Sequence, residues 1–197
     1  MSAPAHRVGP GRPRDPHVDS AVTATVIAML GETGYARLSI TAVAQRAVVG
    51  KPAIYRRWRN KAEMVVDVLE RASGPVLPGP DTGTLRGDLE ATYTQMANLA
   101  RLDGGRLQLA LLAELPFDTE LAAVYRARFV DPRREHLASA FRRAIARGEA
   151  RADLDVELLC DIGIGVMQHR STVTNAPLDA AMVAGLVSLV IDAVAVR

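Results

Sequence analysis

Residues 39–64 read SITAVAQRAVVGKPAIYRRWRNKAEM, and the alternation of apolar and polar positions in this stretch decides the fold. Ser39 is a helix-capping residue, and Ile40, Val43, Ala44 and Ala47 behind it fall on one face of a short helix. Val48-Val49-Gly50 has room only for a turn. A second short helix is predicted from Lys51 to Trp58, with Ile54 and Trp58 inward and Lys51, Tyr55, Arg56 and Arg57 left outside. Asn60 then caps a helix from Lys61 to about Ala72 whose inner face carries Ala62, Val65, Val66 and Leu69. A helix-turn-helix needs one short helix braced on phosphates, a tight turn, and a second helix with a basic face for the major groove. The segment meets that need: the free N–H groups and positive dipole end at Ser39 suit a phosphate, and small Ala44 and Ala47 let the helices cross closely. Spacing alone fits an ordinary helical hairpin equally well.

Outward from this core the chain reads as all-α. Upstream, Met1 to Pro16 is rich in Gly, Pro and Arg and cannot hold a helix, so residues 1–15 are expected to form a flexible basic arm. From Asp19, apolar Val22, Val26, Met29 and Leu30 share one helical face, and Gly34 ends the helix. Downstream, Gly74 to Gly83 (GPVLPGPDTG) is a linker or long turn. Helical patterns follow over Thr84–Leu102, Leu107–Leu115, Asp118 to about Gly148, Asp155–Val173 and Leu178–Val196, with Pro132 expected to kink or split the third. No β-branched residues alternate with polar ones over a useful length. The expected organisation is an arm (1–15), a DNA-binding domain (16–75) and a C-terminal helical domain (76–197), about nine helices in all.

Charge separates these parts. Of 24 basic and 22 acidic side chains, residues 1–71 hold eleven bases and six acids, an excess of five positive charges, while the remainder carries an excess of three negative ones. A basic head on a mildly acidic body points to a polyanion partner for the head. One cysteine, Cys160, excludes an internal disulfide framework and a multi-cysteine metal site. Flanked by Leu158, Leu159 and Ile162, it reads as a small buried apolar residue. No apolar run approaches a membrane span and no secretory h-region follows the N-terminal arginines, so a cytoplasmic protein is expected. His6, His17, His136 and His169 form no H-E-x-x-H pair, and G-x-S-x-G, P-loop and dinucleotide fingerprints are missing. Neither an enzyme, a cofactor nor a metal site is expected. Gly163-Ile164-Gly165, within a helical pattern, reads as close packing.

The run from Ala44 to Met64, with Ala44, Ala47, Val49, Ile54, Tyr55, Trp58, Lys61 and Met64 in order, resembles the DNA-binding domain of the TetR family of bacterial transcriptional regulators. With the preceding helix and Tyr35 to Ile40 the resemblance covers about a quarter of the chain closely; the rest agrees in being helical. It implies that Tyr55 packs on the sugar–phosphate backbone, that Lys61 grips a phosphate, and that Lys51, Pro52 and Ala53 lie nearest the base edges. Ser39 and Thr41 would hold phosphates at the bracing helix, Arg56 a base or phosphate, and Arg57 a phosphate. Lys51 or Arg56 could read guanine through O6 and N7. Arg46 and Arg59 read as surface charges. Val48 departs from the family, which usually has glycine there; a positive φ at that position costs a β-branched residue about 1 kcal/mol or more. In the arm, Gly9-Pro10-Gly11-Arg12-Pro13-Arg14 resembles an AT-hook core, placing Arg12 and Arg14 in a minor groove.

The resemblance further implies a repressor that binds a near-palindromic operator as a homodimer through its last two helices, and a small-molecule effector held in the C-terminal domain. The final helix adds to this, being apolar on several sides (Met182, Val183, Leu186, Val187, Leu189, Val190, Val194), a pattern that a wholly intramolecular core helix also fits. Tyr93, Met96, Gln108, Glu114, Tyr125, Met167, Gln168 and His169 combine polar tips with apolar bodies on segments expected to line the effector cavity, and the surrounding Leu, Val and Ala favour a mainly apolar effector. Two other classes fit parts of the pattern: a helical small-molecule binder that no longer reads DNA, and a DNA-binding protein without sequence preference.

Overall fold

The computed structural model describes residues 16–74 and 79–196. Ten α-helices account for most of it: α1 (Pro16–Arg37), α2 (Ile40–Arg46), α3 (Lys51–Tyr55), α4 (Lys61–Ser73), α5 (Leu85–Ala100), α6 (Asp103–Leu112), α7 (Thr119–Tyr125), α8 (Asp131–Ala146), α9 (Val156–His169) and α10 (Ala180–Val194). Among the described residues there is no strand, only an isolated bridge between Ala150 and Ala195.

Local chemistry sets the helix starts. Side chains of Ser39, Asn60, Thr84, Asp118, Asp155 and Asp179 accept from backbone N–H groups two or three residues into α2, α4, α5, α7, α9 and α10, satisfying donors that have no partner inside the helix. The regular turns of α1 end at Gly34, whose φ of 74° breaks the helix. Between α7 and α8 the chain widens into a π-turn, Arg126–Val130, followed by Pro132 in the first turn of α8. Proline supplies no N–H and crowds the carbonyl four residues earlier, so the chain accommodates an extra residue there and the stretch is split into α7 and α8. A second π-turn, Arg170–Thr174, ends at Asn175 in the left-handed region.

Two hydrophobic clusters fill the interior, and they do not divide where the linker does. One joins α1–α4 (Val22, Val26, Val43, Ile54, Trp58, Val66, Leu69) to Leu107 and Leu111 of α6, Leu121 and Tyr125 of α7, and Phe129 of the first π-turn. The other joins α5, α8, α9 and α10 around Leu89, Tyr93, Phe141, Cys160 and Val187. The N-terminal helices therefore share their core with α6 and α7. Their approach is close: a Cβ on Gly104 would lie 2.9 Å from the Ser73 backbone nitrogen at the end of α4, so only glycine fits at this start of α6.

The described part of the linker is pinned. Asp88, with no exposed surface, accepts from the Thr82 backbone N–H (2.7 Å) and hydroxyl (2.8 Å) and from Arg143 (2.8 Å), which also donates to the Pro80 carbonyl (2.6 Å). Burial alone would raise the Asp88 carboxyl, but these hydrogen bonds and the guanidinium outweigh it and hold it below the usual carboxylate value.

Candidate nucleic-acid interface

Helices α2 and α3 pack through Val43, Ala44 and Ile54, all buried, against Trp58 and the body of α1 and α4. Helix α3 is shorter than its sequence pattern suggests, ending at Tyr55 rather than Trp58. Arg56 and Arg57 form a turn that swings the Trp58 ring inward, where its indole N–H reaches Asp67 of α4 at 3.0 Å. A buried indole donor needs that partner, while the Trp58 backbone N–H still reaches the Ile54 carbonyl at 3.0 Å.

The turn between α2 and α3 is closed by paired backbone bonds, Val49 N–H to Ala44 C=O (3.0 Å) and Val48 N–H to Gln45 C=O (3.3 Å). This is the Schellman arrangement, in which the residue after the cap adopts a left-handed conformation. That residue is Val48, with φ 55° and nine-tenths of its side chain exposed. The turn keeps the geometry a glycine would prefer, and the strain that the sequence indicates at Val48 is present.

The outer side of this unit collects most of the residues singled out from the sequence. Ser39, Thr41, Lys51, Pro52, Tyr55 and Arg56 are exposed, and Ala53 is half-buried. Tyr55, at 54% exposure, stands beside Lys51 and Arg56 with its ring available for stacking. Ser39 uses its oxygen to accept from the Ala42 N–H (3.2 Å), which leaves its hydroxyl hydrogen to donate outward. Lys61 is half-buried: its ammonium sits 3.8 Å over the Tyr35 ring and 3.3 Å from the Tyr35 carbonyl. One N–H of the three remains for another acceptor. Arg57 corrects the expectation of a phosphate contact. Its guanidinium pairs with Asp19 of α1 and donates to the Ala53 carbonyl (3.1 Å), with only 11% of the side chain exposed, so it braces α3 from behind. Arg46 forks onto Glu32, and Arg59 pairs with Glu63, as surface charges. Arg12 and Arg14 lie outside the described residues.

The effector candidates do not converge on one cavity, which corrects the expectation that they line it together. Tyr93 and Met167 are buried in the second cluster, with Met96 packed against it. Gln108 and Tyr125 belong to the other half of the molecule, where Gln108 donates to the Tyr125 hydroxyl (3.0 Å) and Tyr125 stacks on Phe129. Glu114 lies in the turn after α6, and its carbonyl accepts from Phe117 and Asp118. The Gln168 carbonyl accepts from Ser171 (3.1 Å) and Thr172 (2.7 Å) at the second π-turn, and His169 is exposed. Tyr93 stands apart, because its hydroxyl is buried with no hydrogen-bond partner among the described residues. Its ring occupies the space a side chain at 163 would take, since a Cβ on Gly163 would fall 2.4 Å from the hydroxyl oxygen. Cys160, nearby in α9, is buried, and burial pushes its thiol up to about 11, away from thiolate reactivity.

Sequence reasoning missed two other features. A groove of about 440 Å³ runs between α1 and α6, lined by Ile27, Leu30, Gly31, Arg106, Leu107 and Ala110. Behind α3, Asp19, Asp67, Glu70, Arg71 and Arg128 form a connected set of ion pairs. The Asp67–Arg71 spacing of four on α4 was the one signal for that set in the sequence; the partners from α1 and the π-turn come together only in the fold.

A short basic helix, exposed and locked at a tight turn on an all-α frame, defines a helix-turn-helix DNA-binding regulator. Comparison with known proteins gives its kind. The model of bacterial regulatory proteins of the tetR family matches residues 23–68, and that of the tetracyclin repressor-like C-terminal domain matches residues 79–190. The HTH-type transcriptional regulator YdeS of Bacillus subtilis is 32% identical over 177 residues, covering 90% of this chain and 89% of the relative. The DNA-binding transcriptional repressor TetR of Mycobacteroides abscessus is 34% identical over 169 residues, covering 85% and 88%. Among solved structures, the TetR family transcription regulator SCO0332 superposes with a TM-score of 0.70 at 32% identity, over 91% of this chain and all of that one. FadR from Bacillus subtilis, in complex with stearoyl-CoA, shares the fold with a TM-score of 0.67 at 17% identity, over 89% of this chain and 98% of that one. The chain belongs to the TetR family, and it is a DNA-binding transcriptional regulator, not an enzyme. Among the described residues no helix is long and apolar enough to cross a membrane.

Proposed function

We propose that this regulator is a cytoplasmic homodimeric repressor that binds a near-palindromic operator and leaves it when a small, mainly apolar effector binds. The observation that carries the DNA half of this reading is the exposed set of Lys51 and Tyr55 on α3 with Arg56 at its C-cap, backed by buried Ile54 and Trp58. In it Lys51 and Arg56 read base edges with Pro52 and Ala53 close behind, Tyr55 stacks on a sugar, and Ser39, Thr41 and Lys61 hold phosphates. Arg12 and Arg14 add a minor-groove contact from the arm. The assignment of residues 16–75 to DNA and 76–197 to effector and dimer follows the same reading.

Dimerisation is supported by an apolar stripe that the monomer leaves open. Leu158, Ile162 and Val166 recur every four residues on α9, and Leu189 is 71% exposed on α10 beside Ala181 and Gly185. Four leucine, isoleucine and valine side chains on one face, next to two small residues that let helices approach, suit a bundle with the same pair from a second copy. Two-fold symmetry then sets two α3 helices for successive major grooves. For the effector, Tyr93 is the polar anchor: a ligand acceptor that enters between α5 and α9 satisfies a hydroxyl now buried without a partner, among Leu89, Met96 and Met167. That one neighbour of this fold holds stearoyl-CoA supports an acyl-like, apolar body for the ligand.

The test is selection of duplexes from a random pool by the full chain, followed by footprinting and sedimentation. The expected result is a two-fold symmetric protected site and a dimer in solution. Protection of a single half-site by a monomer would overturn the reading.

A further inference from the structure

The recognition helix is held from behind by a residue of the C-terminal region. Asp67, midway along α4, is the hub. Its Oδ2 accepts from the Trp58 indole N–H (3.0 Å) and from Arg71 Nε (2.9 Å), while Oδ1 faces Arg128 at 3.3 Å. Arg128 is further fixed by Glu70, one turn along α4. A second branch runs from Arg71 to Asp19 (3.8 Å), and from Asp19 through Arg57 to the Ala53 carbonyl inside α3. Both branches end on the residues that set how α3 leaves the body. The carboxylate groups of Asp19 and Asp67 are only 20% and 18% exposed, so salt screens these pairs less than it screens surface ones.

Arg128 belongs to the π-turn between α7 and α8, and that turn is itself anchored on its other side. Phe129 stacks on Tyr125 with ring centroids 5.3 Å apart, Arg133 lies 3.7 Å over the Phe129 ring, and Gln108 of α6 holds the Tyr125 hydroxyl. The extra residue of a π-turn offsets the side chains on either side of it, and single π-turns concentrate where a fold needs such an offset. Here the offset sends Phe129 into the core and Arg128 onto α4.

We infer that Arg128 is a positioning residue for operator recognition. It holds the Asp67 carboxylate against the Trp58 indole and thereby fixes the end of α3, without contacting DNA. This rests on α3 being the helix that reads DNA, and it goes beyond that reading by assigning part of sequence discrimination to a side chain outside the DNA-binding domain. Removing Arg128 leaves Asp67 shared between Arg71 and Trp58, frees the end of α3 to change its angle, and weakens contacts that require alignment with base edges. Contacts with phosphates on random DNA tolerate that freedom.

The experiment uses the full chain, the duplex it selects from a random pool, and a scrambled duplex of the same composition. Arg128→Met, Trp58→Phe and the double variant are titrated with both duplexes over a salt series, with Lys51→Ala as the reference for α3 itself. Arg128→Met is expected to lose about five- to tenfold in affinity for the selected duplex and nothing for the scrambled one. The double variant is expected to be no weaker than the weaker single, since both act through Asp67. The salt slope of Arg128→Met stays that of the parent, because a side chain that neutralised a phosphate would lower the slope by about one on its removal. Should Trp58→Phe melt below the assay temperature, Asp67→Asn takes its place. Multiplicative losses, an equal loss on scrambled DNA, or a lowered slope would each overturn the inference. An unaffected Lys51→Ala would instead overturn α3 as the reading helix.

Discussion

Replacing Val48 with glycine should make the protein more stable, although it removes an apolar side chain. Val48 follows the C-cap of α2 with φ 55°, in a turn whose two backbone bonds leave it no other conformation. A left-handed L-residue costs about 1–2 kcal/mol, with a β-branched one toward the upper end. With 90% of the side chain exposed, its removal costs almost no hydrophobic burial. Glycine's larger loss of freedom on folding takes back about 0.5–1 kcal/mol. The expected net gain is about 0.5–1 kcal/mol, or an increase in melting temperature of roughly 1–4 °C for a chain of this size. Asparagine, which tolerates the left-handed region while remaining stiffer when unfolded, should match or exceed glycine, and alanine should fall between asparagine and the parent. The assay is thermal and denaturant unfolding of the four proteins at one fixed concentration, since association shifts the midpoint. A Val48→Gly protein no more stable than the parent would show that the turn is not strained as the backbone indicates. A protein that is more stable yet binds its operator more weakly would show that the strain is retained for a contact made by the exposed valine.

Four further outcomes follow from the packing and charges. Asp88→Asn should destabilise by about 3 kcal/mol, because Arg143 is left facing a neutral amide in a site with no exposed surface at 88. The same pair predicts acid sensitivity: with the Asp88 pKa depressed on folding, its contribution is present above the unfolded value of about 3.9 and is lost as pH falls through the lower folded value, so the parent should lose stability over that window more steeply than Asp88→Asn in melts from pH 5 to 2. Tyr93→Phe should raise ligand-free stability by about 1 kcal/mol, since it deletes a buried hydroxyl without a partner, while Gly163→Ala should destabilise by driving a methyl into the Tyr93 ring; calorimetry distinguishes the two signs. Leu189→Glu should shift sedimentation from dimer to monomer without unfolding the subunit, because the side chain is exposed in one copy.

What the sequence revealed, and what it hid, divides by the range of the interaction. Ser39 and Asn60 were legible as caps because a cap is decided within three residues, and the left-handed strain at Val48 was legible because turn geometry is equally local. The outward set on α3 could be read from which positions Ile54 and Trp58 had to bury. Arg57 could not, since its fate depends on Asp19, 38 residues away, and a sequence of adjacent arginines gives no sign of which one turns inward. The effector candidates are spread over both clusters because polar-tipped side chains on amphipathic helices satisfy one another when packing allows, as Gln108 and Tyr125 do. Of these candidates, Tyr93 has a buried hydroxyl without a partner among the described residues, and that shows only once its neighbours are placed.

The shared core gives these placements a common consequence. A DNA-binding domain with its own closed core could pivot on a linker and be indifferent to the rest of the chain. Here Leu107, Leu111, Leu121 and Phe129 complete the interior that Val26, Val66 and Leu69 begin, and Gly104 brings α6 against the last turn of α4. A movement of α6 or α7 is therefore passed through this shared core to α4 or α1, while Asp88 and Arg143 pin Pro80 and Thr82 at the start of α5. An isolated fragment ending after α4 would expose the faces that Leu107, Leu111 and Leu121 now cover. It should unfold, or bind DNA with α3 poorly aligned, even though it contains every residue that faces the operator. Expression of residues 1–74 as a cooperatively folding unit with the operator preference of the full chain would refute this. It would show that the boundary in the sequence, rather than the boundary in the core, governs how the molecule responds.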